Sequence, residues 1–144
     1  MTRVTFYLLA SAEERARQHL ACRIARKAHG LGQRVHIHTP DAQSTQEMDR
    51  LLWTFEDTAF LPHGTDVADP ASPVTIHEAG APTDRCDVLI NLAEAVPDYF
   101  GRFERIADLV GGDERSRASG RERYRFFKER GYPLEHHEIG SDRH

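Results

Sequence analysis

Val4-Thr5-Phe6-Tyr7-Leu8-Leu9, followed by Ser11 and the acidic pair Glu13-Glu14, opens the chain as a strand leading into a helix. The six residues are β-branched, aromatic or aliphatic almost without interruption, the composition of a buried strand. Ser11 is an N-cap type of residue, and two carboxylates suit a first helical turn, where the backbone dipole favours negative charge. Leu20, Ile24 and Ala28 then recur at four-residue steps, and Gly30 and Gly32 stop the helix after about His29. Arg34 to Thr39 reads as a second strand, Pro40-Asp41 as a turn, and Ser44 to about Trp53 as a second helix carrying Met48, Leu51 and Leu52. A strand-helix-strand-helix alternation needs right-handed crossovers, so the expected fold is three-layer α/β/α with a largely parallel sheet.

The middle of the chain is broken by Phe60-Leu61-Pro62-His63-Gly64 and Asp69-Pro70-Ala71-Ser72-Pro73, with a short strand expected at Val74 to His77. Cys86-Asp87-Val88-Leu89-Ile90-Asn91-Leu92 is the clearest buried strand of the second half. Pro97 to Val110 reads as a helix with Phe100, Phe103, Ile106, Ala107 and Val110 inward, and Gly111-Gly112 ends it. A terminal helix is expected over Asp113 to Arg130, a final strand over Leu134 to Ile139, and a frayed tail from Gly140 to His144.

One core is the expectation for 144 residues. Cys22 and Cys86 are the two cysteines and form no closely spaced pair, so both read as packed thiols in a reducing cytoplasm. The apolar start is too short to span a membrane.

The basic run near the end carries the most specific functional signal. In Gly120-Arg121-Glu122-Arg123-Tyr124-Arg125-Phe126-Phe127-Lys128-Glu129-Arg130-Gly131-Tyr132, helical spacing gathers Arg121, Tyr124, Arg125 and Lys128 on one face. Gly131 stands at the C-cap position, with Pro133 soon after. Seven Arg and Lys lie between Arg115 and Arg130 in a chain of net charge -4. A local basic cluster on an acidic protein suits an acidic, partly apolar peptide better than a bulk polyanion, and naked nucleic acid should bind poorly. The alternative is an ordinary solvated face with Glu122 and Glu129 as ion-pair partners. Trp53 and Phe60 lie near a helix end and a Pro-containing loop; they are either core or an interface if exposed together.

Nothing marks a catalytic centre. The turn Ala10-Ser11-Ala12-Glu13-Glu14 lacks the glycines and the Lys-Ser/Thr of a phosphate-binding loop and puts carboxylates where an anion would sit. His36 and His38 share one face of a strand, and His136 and His137 face opposite ways, without a zinc framework; surface or half-buried histidines are the better account. The alternative from another class is a small nucleotide-linked α/β enzyme using Asp87, Asn91 or His38 at a strand end.

Over nearly its whole length the sequence resembles the chi subunit family of the bacterial DNA polymerase III holoenzyme. The resemblance rests on Thr5-Phe6-Tyr7-Leu8-Leu9, Leu52-Trp53 followed by Phe60-Leu61-Pro62-His63, Asp87-Val88-Leu89-Ile90-Asn91-Leu92, and Arg121-Glu122-Arg123-Tyr124-Arg125 before Gly131-Tyr132, in that order. It implies one chi-like domain over residues 1–144, nucleotide-binding-like in fold but with no nucleotide, cofactor or metal. The implied role is that of a non-enzymatic adaptor. One surface would bind the acidic C-terminal tail of single-stranded DNA-binding protein through Arg121, Tyr124, Arg125, Lys128 and Gly131, with Val110. Another would bind a psi-type clamp-loader subunit through Trp53, Phe60, Leu61 and Pro62.

Overall fold

The computed structural model describes residues 1–69, 71–82 and 87–140. Seven strands and three α-helices follow in the order β1 (Arg3–Leu9), α1 (Glu14–Gly30), β2 (Val35–His38), α2 (Ala42–Thr54), β3 (His63–Gly64), β4 (Val74–His77), β5 (Val88–Asn91), β6 (Arg105–Val110), α3 (Glu114–Glu129) and β7 (Leu134–Ile139). The strands form one sheet in the order β3-β4-β2-β5-β6-β1-β7, and every neighbouring pair is parallel. The expected three-layer α/β/α architecture is therefore the one observed. No helix among the described residues is long and apolar enough to cross a membrane.

The local signals act at the predicted places, with small shifts. Asp41, expected in a turn, caps α2 by accepting from the Ser44 backbone N–H at 2.8 Å, and Asp113 caps α3 through Ser116 N–H at 3.1 Å. Ser11 does not cap α1: the helix begins at Glu14 after Glu13, while the Ser11 hydroxyl takes the Glu13 N–H at 3.1 Å. Gly32, at φ 78°, and Gly131, at φ 79°, supply the left-handed turns after α1 and α3.

One expected element is corrected. Pro97 to Val110 is not a helix; it is a short 3-10 turn at Asp98–Arg102 followed by strand β6. Phe100, Phe103, Ile106, Ala107 and Val110 mimic a helical stripe, but β6 is paired on both sides and buried on both faces. Its run Ile-Ala-Asp-Leu-Val is thus buried without alternation, apolar except for Asp108. Gly101 and the segment's position directly before α3 were the countersigns.

Side-chain alternation divides the core. On one face α1 and α2 bring Ala21, Ile24, Ala25, Met48 and Leu52 against Val35, Ile37, Val74, Ile76, Val88, Ile90 and Leu109. On the other, α3 and the 98–103 segment bring Phe127 and Phe103 against Phe6, Leu89, Ile106 and Val110. Cys22, on α1, is buried. The expectation for Cys86, and for the tail beyond Gly140, lies outside the described residues.

The reading of the histidines as surface or half-buried holds for His38, His136 and His137 and is corrected for His36, which is 0% exposed; His63 is also buried, at 8%. The His36 ring sits on the α3 side of the sheet, beyond the reach of that helix. Its Nδ1 lies 2.7 Å from Thr75 Oγ1, and Tyr99 and Phe103 pack on it at 5.9 and 6.4 Å. Burial first, then the neighbouring His38 charge, lower its pKa to about 3; the Gly80 backbone opposes them, and His77 and Arg102 add lesser lowering.

α3 is fixed from below by a buried ion pair. Arg123 Nε and Nη2 reach the two Asp108 oxygens on β6 at 2.8 and 2.9 Å, and both side chains are nearly inaccessible. Asn91 Nδ2 donates to the same carboxylate at 3.3 Å, while Arg123 Nη1 holds the Glu94 carbonyl at 2.9 Å and Ser119 Oγ at 2.7 Å.

Two outcomes follow for stability. Arg123→Ala should cost about 3–5 kcal/mol by leaving Asp108 charged and buried, and replacing both residues by Met and Leu should recover most of it; urea unfolding of the three variants checks this. Because folded His36 refuses a proton that the unfolded chain accepts below pH 6.5, its contribution is neutral above that pH and unfavourable as pH falls toward 3. From pH 7.5 to 4.5, the wild type should lose about 2–3 kcal/mol more than His36→Gln in matched denaturation curves.

Candidate functional site

Glycine sets the shape of the first site. A Cβ on Gly120 would lie 2.9 Å from both Val110 methyls, so only glycine lets α3 sit this close to β6. Gly112 likewise passes against the Ala10 carbonyl, and its N–H bonds Ser11 O at 2.9 Å, which ties the β6–α3 turn to the β1–α1 turn. A cleft of about 880 Å³ opens beside this contact, between α3 and the ends of β1, β6 and β7.

The cleft has three chemically different sides. Phe6, Leu8 and Val110 make an apolar floor; Arg117, Arg121 and Tyr124 stand along the α3 wall; His136 and Glu138 of β7 stand opposite. The Tyr124 ring leans on Phe6 at 5.3 Å, which leaves its outer edge toward the cleft. Arg121 meets Glu114 at 3.1 Å, but both side chains are well exposed, so a ligand carboxylate can replace Glu114 at little cost.

The structure thus brings together Val110, Arg121 and Tyr124 of the expected residues. Arg125 lies outside the lining, exposed and paired with Glu122 at 3.0 Å. Lys128 continues the Arg121–Tyr124 stripe beyond the cleft, and Gly131 closes the helix, its N–H bonding Lys128 O at 3.1 Å. Arg123, counted in the basic run, is the buried anchor. Arg117 was missed although it lies four residues before Arg121 and seven before Tyr124, on the same helical row. The two β7 residues carried no local signal, since only strand pairing places His136 beside Phe6 and Glu138 beside Leu8.

The second set of residues lies at the other edge of the sheet. Phe60 is 98% and Trp53 52% exposed, and Pro62 is exposed beside them, which decides against the core alternative for this pair. Leu61, grouped with them by sequence, is instead 6% exposed and belongs to the core. It pins the loop from beneath. His63 fixes the patch: its Nδ1 lies 2.7 Å from Leu61 O, its Nε2 3.2 Å from Asp49 O, and the Trp53 ring covers it at 4.1 Å. Six strand spacings, roughly 29 Å, separate β3 from β7.

The residues of the enzyme alternative are already engaged. Asp87 Oδ2 accepts the Arg34 N–H at 2.7 Å, Asn91 bonds Ala93 and Asp108, and His38 Nδ1 meets the Tyr99 hydroxyl at 3.2 Å. Among the described residues, no group of three or more His, Cys, Asp and Glu side chains is placed to hold a metal ion.

Comparison with known proteins identifies the family. Residues 1–135 match the family described as DNA polymerase III chi subunit, HolC. The chain is 39% identical over 139 residues to the DNA polymerase III subunit chi of Pseudomonas aeruginosa, covering 96% of this chain and 98% of that one. It is 28% identical over 138 residues to the subunit of that name from Haemophilus influenzae, covering 94% and 96%. Against the Escherichia coli subunit it is 28% identical over 141 residues, covering 93% and 96%. The chain belongs to the DNA polymerase III chi subunit family.

Proposed function

We propose that this protein is a non-enzymatic adaptor of the replicative polymerase, one cytoplasmic domain over residues 1–144. Its α3 cleft takes the acidic C-terminal tail of single-stranded DNA-binding protein, and its β3 edge takes a psi-type subunit of the clamp loader. The observation that carries the reading is the pairing of an apolar floor, Phe6, Leu8 and Val110, with a wall of Arg117, Arg121 and Tyr124. An apolar side chain at a peptide terminus would lie on the floor, and its carboxylates would meet the guanidinium groups through charge-assisted hydrogen bonds. Lys128 and Arg125 extend the positive field along the helix toward Gly131 and steer the rest of the tail. Exposed Trp53, Phe60 and Pro62 offer the second partner an aromatic anchor of the kind that dominates interfaces.

Calorimetric titration of an acidic, aromatic, carboxylate-ended peptide should show saturable binding that weakens with salt. Arg121→Ala should lower affinity by about 2 kcal/mol or more, whereas Arg125→Ala, at the rim, should cost at most about 1 kcal/mol, with melting curves unchanged. Absence of saturation by folded protein at low ionic strength would remove the tail from this reading. Single-stranded oligonucleotide alone should bind weakly at physiological salt.

For the other surface, Phe60→Ala should abolish capture of the psi-type partner while leaving peptide binding intact. Because Phe60 is 98% exposed, its truncation should alter stability by no more than about 0.5 kcal/mol. A pull-down with purified partner, run beside the peptide titration and a melt, gives all three readouts.

A further inference from the structure

The floor of the cleft is crossed by a single row of the sheet. Leu8 of β1 stands opposite Val110 of β6 on one side and Glu138 of β7 on the other. Two strand spacings, roughly 10 Å, therefore lie between Glu138 and Val110. Val110 is also the point where Gly120 brings α3 closest to the sheet, and Arg117 and Arg121 project from the turns on either side of Gly120. Glu138 is exposed and, among the described residues, makes no hydrogen bond or ion pair that would neutralise it. One carboxylate thus faces two guanidinium groups across an apolar strip about as wide as a side chain is long. Glu135, its neighbour on β7, is exposed too but pairs in register with Thr5 and points to the opposite face.

We propose that Glu138 is the selectivity element of the cleft, rejecting negative charge on the β7 side. The accepted ligand is then an extended segment whose carboxylates gather on the edge facing α3. The edge facing β7 is apolar or donates hydrogen bonds. This rests on the reading of the cleft as the site of an acidic tail, and it deepens that reading by stating which arrangement of acids fits. A wholly basic cleft would take any polyacid, including nucleic-acid phosphate; a carboxylate at the far wall makes diffuse negative charge costly and fixes ligand orientation. The competing account is that Glu138 merely guards the exposed edge of β7 against strand pairing, a common use of edge charges.

The two accounts separate on peptide affinity. Two peptides of equal length with the same terminal aromatic residue and carboxylate are titrated, one carrying a single further acid and the other two, the second acid placed on the alternate edge of the extended chain. At low ionic strength Glu138→Gln should bind the doubly acidic peptide about threefold to tenfold more tightly than the wild type does, with a smaller gain for the singly acidic one. The difference should fade at high salt, because charges at an exposed cleft wall are screened by salt. Glu135→Gln, which removes the same formal charge from the same strand, should show no such preference. A selective gain cannot arise from misfolding. Equal affinities in wild type and Glu138→Gln, or an equal gain in Glu135→Gln, overturn the selectivity role and leave the tail site standing. No binding of either peptide to any of the three folded proteins overturns the tail site, and this inference with it.

Discussion

The ion pair between Arg123 and Asp108 decides where α3 lies, and the position of α3 decides the functional surface. Two charges removed from water gain little net stability over an apolar pair of equal volume, but bidentate geometry fixes direction. Here the guanidinium is committed on three sides, to the Asp108 carboxylate, the Glu94 carbonyl and the Ser119 hydroxyl. Rotation of α3 about its axis would break the bonds to Asp108 and Glu94, while the Ser119 bond, within α3, holds the guanidinium in place. With that rotation fixed, Gly120 faces Val110, Phe127 enters the second core, and the row Arg117, Arg121, Tyr124 turns outward over the cleft. A basic helix packed by apolar contacts alone would have no comparable lock on which cations face the ligand.

The same sheet carries two unlike surfaces at opposite edges, each proposed above as a partner site. The α3 edge presents charge over an apolar floor, and the β3 edge presents exposed aromatic area, Trp53 on α2 and Phe60 in the following loop, braced by His63. Charged recognition responds to salt and gives fast association, whereas apolar recognition persists at high salt. With roughly 29 Å between the edge strands and separate cores beneath them, substitutions at one surface should be nearly additive with those at the other.

Much of the fold was legible because local and tertiary signals agree. β1, α1, β2, α2, β4 and α3 are each announced by a buried run, a cap or a terminal glycine, and each occurs within a few residues of its expected place. Strand β6 was not legible as a strand, since a doubly buried strand has no alternation and its Phe and Ile spacing also fits a helix. The α3 stripe was legible but displaced: helical periodicity identifies a row, not the turn at which a sheet edge meets it. The row was therefore read from Arg121 toward Lys128 instead of from Arg117 to Tyr124. His36 was missed for a different reason. Its neutral, buried state depends on Thr75, Tyr99 and Phe103, which come from three distant segments.

Along the edge where an α/β sheet of this kind usually offers a ligand site, the ends of β5 and β6 are covered by the chain itself. Arg17 of α1 reaches the Leu109 and Leu92 carbonyls at 3.1 and 2.9 Å, beyond the carboxyl ends of β6 and β5, while Glu14 holds its other side. The Gly112 N–H, at the turn into α3, is committed to Ser11 O. In nucleotide-binding α/β folds such backbone groups face a phosphate; here the Gly112 N–H joins the two turns and braces the start of α3. Engaging the strand ends in this way turns the crevice into a support. On the proposed reading, recognition takes place along the flank of α3, where an extended peptide reaches the cleft.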